Sequence, residues 1–306
     1  MFKNIHILIL CFLIILTGCT NSGVKETNTN TTSKKPIIPP NSEGFVFKYN
    51  LENYETSEVN HYISNNESYK ASIEIINYFS RITSFRVYFF LNSELIGVKH
   101  NNKVVKFLNY NSIKPEESLK KGFEIPNLKK GINDFVVVYV RNPDQTLDKE
   151  DYKEFINFGK KFTIISGDNF EKNLNIDKAL SILNNPSTPN TQLTYLTFAG
   201  QKIEPQNALT YKKVNEKDLT LSLNFWNDSP NKYYSILLLD NDEQIPLENN
   251  LYVVKEKGNA SLELNLKLNN EKVHNLVAVI VGESPEKTSD FQMETVLTTN
   301  KITIVN

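Results

Sequence analysis

The sequence predicts an all-β protein built from two antiparallel β-sandwiches in tandem. Three observations predict it. Short runs rich in Val, Ile, Phe, Tyr and Thr recur from Phe45 onward, punctuated by clusters of Asn, Asp, Gly, Lys and Pro. The second set of runs echoes the first at offsets between 140 and 150 positions. No long helix is forced by the apolar pattern anywhere in the body of the chain.

The N-terminus has a different character. Met1-Phe2-Lys3 gives a short basic start, and an apolar run follows from Ile5 to Leu16, broken by His6. That run is too short for a bilayer, which takes roughly 20 apolar residues, so it reads as a cleaved export signal. It closes on Leu16-Thr17-Gly18-Cys19, which resembles the lipobox of bacterial lipoproteins: an aliphatic residue, two small residues, then cysteine. The resemblance implies cleavage before Cys19, diacylglycerol on its thiol, and a mature protein anchored to a membrane of the bacterial cell envelope. A secreted protein with a chance cysteine, or an uncleaved anchor, is the competing reading. Cys11 falls inside the signal, so the mature domains hold no thiol for a disulfide.

Thr20 to Glu43 is Thr, Asn, Ser, Lys and Pro without apolar periodicity, so it is expected to be a disordered tether. Random-coil scaling gives it a reach of roughly 25–30 Å. The expected organisation is signal peptide 1–18, lipidated cysteine and tether 19–43, first sandwich 44–167, linker 168–190 and second sandwich 191–306. Net charge is −1 for the whole chain, which argues against a nucleic-acid partner.

The expected strands of the first sandwich are Phe45–Tyr49, Ala71–Phe79, Ser84–Leu91, Val104–Leu108, Asp134–Arg141 and Phe162–Ser166. In the linker, Asp177 to Leu183 reads as one or two helical turns ended by Asn184-Asn185-Pro186. Strands resume at Leu193–Phe198, Asp218–Phe225, Tyr233–Leu239, Leu251–Val254, Ala260–Leu268, Leu276–Val281 and Ile302–Val305. Phe45 matches Tyr195, Ile73 matches Leu223, Asn77 matches Asn227 and Leu95 matches Ile245, all 150 apart. Val104–Lys106 matches Val253–Lys255 at 149, and Phe162–Ile165 matches Ile302–Val305 at 140. A loss of about eight residues, placed between Phe107 and Ile132, accounts for the change of offset. Each copy has the size and strand rhythm of an Ig-like sandwich, without the Cys–Trp–Cys signature of true immunoglobulin domains.

The apolar pattern adds one anomaly. Asp218–Phe225 alternates, as a sheet with one wet face should. Val87 to Phe90, Ile236 to Leu239, Phe135 to Val140 and Leu276 to Val281 are apolar on both faces. One sheet of each copy is therefore covered on both sides. The candidate covers are a helix at Asp148–Lys161 using Tyr152, Phe155 and Ile156, the segment Ser284–Asn300, the other sandwich, or a separate protein.

Motifs for chemistry are sparse. His61, His100 and His274 have no metal-ligand spacing and read as loop or strand-edge residues. No nucleophile elbow, phosphate loop or dinucleotide glycine pattern occurs. Asp240-Asn241-Asp242-Glu243 starts like a calcium loop, but its sixth and twelfth positions are Ile245 and Leu251, so a plain turn is expected. Glu116-Glu117 and Glu150-Asp151 read as solvated surface. No catalytic, cofactor-binding or metal residue is assigned, and no cofactor is expected. The candidate contact surface is Tyr88, Phe90 and Trp226, for a cell-wall glycan or an envelope protein. Trp226 follows Phe225, so alternation sends it to the polar face, as a contact residue or as a cap on the sandwich edge. The sequence thus supports a non-enzymatic binding or scaffolding lipoprotein, with a carbohydrate- or solute-binding lipoprotein as the alternative.

Overall fold

A computed structural model describes residues 44–306 except 52–54, 57–59, 64–67, 127, 146–156, 168–171, 174–178, 185–193, 201–209, 216–217, 248, 285 and 288–294. The signal, Cys19, the tether and the Asp148–Ile156 part of the expected helix lie outside the described residues. Glu43–Asn306 forms one compact unit. The described residues are all-β, with no helix among them.

The first half contains β1 (Phe45–Leu51), β2 (Glu55–Thr56), β3 (Asn60–Ile63), β4 (Tyr69–Asn77), β5 (Thr83–Leu91), β6 (Glu94–Ile96), β7 (Val98–His100), β8 (Lys103–Val105), β9 (Phe107–Ile113), β10 (Ser118–Ile125), β11 (Gly131–Arg141) and β12 (Phe158–Ser166). One sheet runs β1-β4-β10-β7-β8 and the other β2-β3-β12-β11-β5-β6, with β9 also on β5. Their inner faces enclose an aromatic-rich core that includes Phe85, Phe89, Phe123, Phe135 and Phe162. β3 runs parallel to β12, and the other pairs in this half are antiparallel.

The second half contains β13 (Lys172–Asn173), β14 (Leu180–Asn184), β15 (Tyr195–Phe198), β16 (Tyr211–Lys213), β17 (Asp218–Asn227), β18 (Lys232–Asp240), β19 (Glu243–Ile245), β20 (Leu251–Val254), β21 (Gly258–Lys267), β22 (Val273–Glu283), β23 (Glu286–Lys287), β24 (Val296–Thr298) and β25 (Ile302–Val305). It repeats the pairings of the first: β15-β17-β21 stands for β1-β4-β10, and β16-β25-β22-β18-β19 stands for β3-β12-β11-β5-β6. The parallel edge pair recurs too, Thr163 opposite Asn60 and Thr303 opposite Tyr211. The sequence reading of two tandem sandwiches therefore holds.

Strand register corrects its details. Ile73 and Leu223 are equivalent, each fully buried, and Asn77 and Asn227 each give their amide to two backbone carbonyls. Tyr195, however, sits opposite Asn224, whereas Phe45 sits opposite Asn77, so the counterpart of Tyr195 is Lys48. Leu196 and Phe198 supply the inward side chains instead. The equivalent of Ile245 is Ile96, one residue beyond Leu95. β20 corresponds to β9, since both pair along the same stretch of β18 and β5, so Val253 is not the partner of Val104. The extra residues of the first half are the β7–β8 hairpin, which lies before Phe107 rather than after it.

The expected linker helix is also corrected. Leu180–Asn184 is a strand, parallel to β20 at one end and antiparallel to β21 at the other. It joins the two sheets of the second half, and Ile182 enters their core. One or two turns of helix close only about three backbone bonds in isolation, while a sheet offers a ready ladder. Likewise Phe158–Lys161, the end of the helix expected from Asp148, belongs to β12, and Val296–Leu297 to β24.

Candidate functional site

The doubly apolar strands cover one another. Alternation sends Phe85, Val87 and Phe89 of β5 into the first core and Arg86, Tyr88 and Phe90 outward. β18 and β22 do the same. Tyr88, Phe90, Val136, Val138 and Val140 form a third apolar cluster with Leu237, Leu239, Val277, Val279 and Val281 of the second half. The sandwiches are thus stacked on a shared layer, which is why both faces of these strands are apolar. Phe90 is 0% and Tyr88 2% exposed. Neither ring is open to stack on a ligand, which corrects their placement on an outward contact surface.

Contacts around this layer are reciprocal, as in an isologous dimer interface. Lys161 precedes Phe162, and Lys301 precedes its equivalent, Ile302. Lys161 Nζ donates to Gly282 O (2.9 Å) and Glu283 Oε2 (2.8 Å) just at the end of β22. Lys301 Nζ donates to Asn142 O (2.8 Å) and Pro143 O (3.1 Å), just after β11, and to Gln145 O. The β6 and β19 hairpins, which are equivalents, meet each other: Leu95 N donates to Gln244 Oε1 at 2.7 Å, and Gln244 Nε2 donates to Ser93 O at 2.9 Å. At the opposite edge, β12 crosses β24 so closely that a Cβ on Gly159 would lie 2.3 Å from Val296 Cγ1.

One end of the interface opens into a cavity of about 310 Å³, lined from both halves. Arg86 organises it. Its guanidinium donates to Asp242 Oδ1 and Asp144 Oδ1, each at 2.7 Å, and through Nε to Asn109 Oδ1 at 3.0 Å. It also lies 4.5 Å over the Phe107 ring. Tyr88 OH donates to Asp242 Oδ1 at 2.7 Å. Burial lowers the Arg86 pKa, but the Tyr88, Asp242 and Asp144 oxygens outweigh it and hold the group above its ordinary value. Burial also pushes the Tyr88 phenol well up, so it stays protonated as a donor. Lys301, 1% exposed, is drawn down to about 8 by desolvation, partly offset by Asp144. The sequence reading missed Arg86 and Lys301. The available signal was one cation inside the apolar strand Phe85–Leu91, on the face of Tyr88 and Phe90.

Trp226 of β17 is half-buried. It lines a shallow cleft of about 220 Å³ with Asp228, Lys232, Tyr234, Thr295 and Leu297. Lys232 Nζ holds Asp228 at 3.0 and 3.2 Å and lies 3.5 Å from Thr295 Oγ1. The Lys232 hydrogen bond keeps the Asp228 carboxyl below its ordinary pKa. This cleft is remote in sequence and composition from Tyr88 and Phe90, so the three candidate residues do not form one surface.

Asp240 to Glu243 is the hairpin turn between β18 and β19, as expected, with Asn241 at φ 52°. Asp242 Oδ1 accepts from Arg86 and Tyr88, and Asp240 Oδ2 lies 2.7 Å from His274 Nδ1. Among the described residues no group of three His, Cys, Asp or Glu is placed to hold a metal. His61 and His274 are buried within strands rather than at loops, and His61 Nδ1 lies 2.7 Å from Tyr69 OH. Glu116 and Glu117 lie in an exposed turn where Glu117 Oε2 accepts from Lys114 N. Glu150 and Asp151 lie outside the described residues.

No protein-family profile matches the chain, and no curated protein sequence matches it. Among solved structures, it is similar to the CARDB domain of the PF1109 protein of Pyrococcus furiosus, solved with di-metal ions, at 10% identity and TM-score 0.27, over 41% of this chain and 94% of that one. It is similar to red sea bream transglutaminase at 10% identity and TM-score 0.25, over 86% of this chain and 31% of that one. It is similar to the calcium-binding domain CBD12 of CALX1.1 at 8% identity and TM-score 0.22, over 80% and 83%. At these values nothing that those proteins bind or do is carried over. The class defined by the chain's own strands is a tandem β-sandwich protein with a buried joint.

Proposed function

We propose that this chain is a lipid-anchored protein of a bacterial cell envelope, with a non-enzymatic binding or scaffolding role. The supporting observation is the apolar layer between the sandwiches, which makes two modules into one stiff body. The residues Leu16-Thr17-Gly18-Cys19 supply the anchor and residues 20–43 the tether. Diacylglycerol on Cys19 carries two acyl chains, enough for stable membrane attachment. A body fixed internally and free at its base suits presentation of outer surfaces away from a membrane. Labelling with an alkyne palmitate analogue and fractionation test the anchor. Wild-type protein is expected labelled and in the membrane fraction, and Cys19→Ala unlabelled and released. Equal labelling of the two refutes the anchor. Photo-crosslinking in intact cells tests the role: adducts to an envelope component are expected, and crosslinks within the chain alone would refute it.

A second reading, carbohydrate or solute binding, is favoured by the Trp226 cleft. An aromatic face beside a carboxylate, an ammonium and a hydroxyl suits a sugar ring, with the ring stacking and the polar groups fixing orientation. Quenching of Trp226 fluorescence by soluble cell-wall glycan is the expected result. An unchanged spectrum at saturating glycan would refute the cleft as a sugar site.

A further inference from the structure

We propose that the cavity between the sandwiches binds an uncharged polyhydroxylated solute, one or two saccharide units in size. The inference rests on the solute-binding reading but moves the site from the Trp226 cleft to the joint. The first support is the internal repeat, which acts as a control. Structural equivalents share what the fold requires, so what differs between them is left for something else. Lys161 and Lys301 are equivalent, and both brace the joint. The counterparts of Arg86, Tyr88 and Asp242, by strand register, are Ser235, Leu237 and Ser93. The Arg86–Tyr88–Asp242 network is therefore an addition at one end of the joint, where the equivalent end carries Lys161 on Glu283 instead.

The second support is the charge balance. Arg86 is neutralised between Asp144 and Asp242, and Lys301 is held by three carbonyls. An ion entering would shed water and meet no net opposite charge, which is costly. Hydroxyl groups shed water more cheaply. They can donate to the further lone pairs of the Asp144 and Asp242 carboxylates, since each accepts about four hydrogen bonds. They can also accept from Arg86, three of whose five N–H groups are occupied by Asn109, Asp144 and Asp242. Val140, Leu239 and Val277 give an apolar wall for ring C–H groups. The size, about 310 Å³, falls at the lower end of small-ligand sites, which occur preferentially between domains. Among the lining residues, Asp144 has a side chain 76% exposed to solvent.

The test is isothermal titration of the Cys19→Ser chain with a panel of neutral hexoses, N-acetylhexosamines and their disaccharides, with glycine and acetate as charged probes. Saturable binding of a neutral saccharide is expected, weakened at least tenfold in Asp144→Ala and unchanged in Trp226→Ala. Asp144 is exposed enough that its loss leaves the fold intact, which circular dichroism verifies. Binding lost in Trp226→Ala and kept in Asp144→Ala would overturn the assignment of the site while leaving solute binding standing. Binding of glycine or acetate that Asp144→Ala abolishes would overturn the charge argument. No saccharide binding at all would overturn both this inference and the reading beneath it.

Discussion

Replacing Phe90 with alanine removes a ring that is 0% exposed and belongs to neither sandwich core, but to the layer between them. Burial of that ring exists only because the second half sits on it. Truncating a buried phenylalanine costs about 3–5 kcal/mol, the lost transfer energy plus a cavity that its cross-strand neighbour Val136 fills incompletely. For a body of this size, that is a fall in Tm of about 10 °C. Phe89→Ala, the next residue in the chain, should cost a similar amount, because its ring fills the first core. Val104→Ala, at a side chain 76% exposed, should change stability by less than about 0.5 kcal/mol. Urea unfolding of the Cys19→Ser chain, followed by tyrosine and Trp226 fluorescence, measures all three. If Phe90→Ala behaves like Val104→Ala, the ring is solvent-exposed and the shared layer does not exist.

Three further outcomes follow from the same joint and cores. Glu283→Gln should cost about 3–5 kcal/mol in urea unfolding, since it strips the nearest carboxylate from a Lys161 side chain that is 4% exposed, and Lys161→Met with Glu283→Leu and Asp134→Asn, which clears the whole buried cluster, should recover most of it. Gly159→Ala should cost about 1–3 kcal/mol by forcing β12 off β24, and Val296→Ala in the same chain should relieve it. The pH profile has a defined sign at both ends. Burial, with a smaller push from Lys160, depresses His61 to about 4 in the folded state, so its contribution is present above pH 6.5 and lost between 6.5 and 4, on the order of 3 kcal/mol. Burial raises Tyr49, Tyr88, Tyr110, Tyr139 and Tyr234 above their ordinary value, so stability should fall steeply as pH rises past 10. Lys301 works the other way: depressed to about 8, it favours the folded state increasingly from pH 8 to 10.5, so the alkaline fall should begin only near pH 10.

What the sequence made legible was what depends on side-chain alternation. Leu219 to Phe225 and Ala71 to Ile75 told which face is inside, and the doubly apolar Tyr88–Phe90 and Leu237–Leu239 told that something covers the other face. They did not tell what, because alternation records burial and not the partner. Register failed where strands are short. Phe45 and Tyr195 look alike, yet pairing against β4 and β17 differs by three residues, and backbone pairing rather than side-chain type decides it. Leu180–Leu183 forms a strand where the sequence predicts helical turns, because local helix propensity is weak and the sheet's ladder outweighs it. The cavity was invisible for a different reason. Arg86 and Asp144 lie 58 positions apart within the first half, and Asp242, 156 positions from Arg86, joins them only when the halves stack. The cation in strand Phe85–Leu91 was the trace of it.

The two sandwiches form one body joined through an apolar layer. Differential scanning calorimetry of the Cys19→Ser chain tests it most directly. A single transition is expected, with calorimetric and van't Hoff enthalpies equal, a behaviour that two independent domains do not show. Two separable transitions, or a van't Hoff enthalpy near half the calorimetric one, would contradict it.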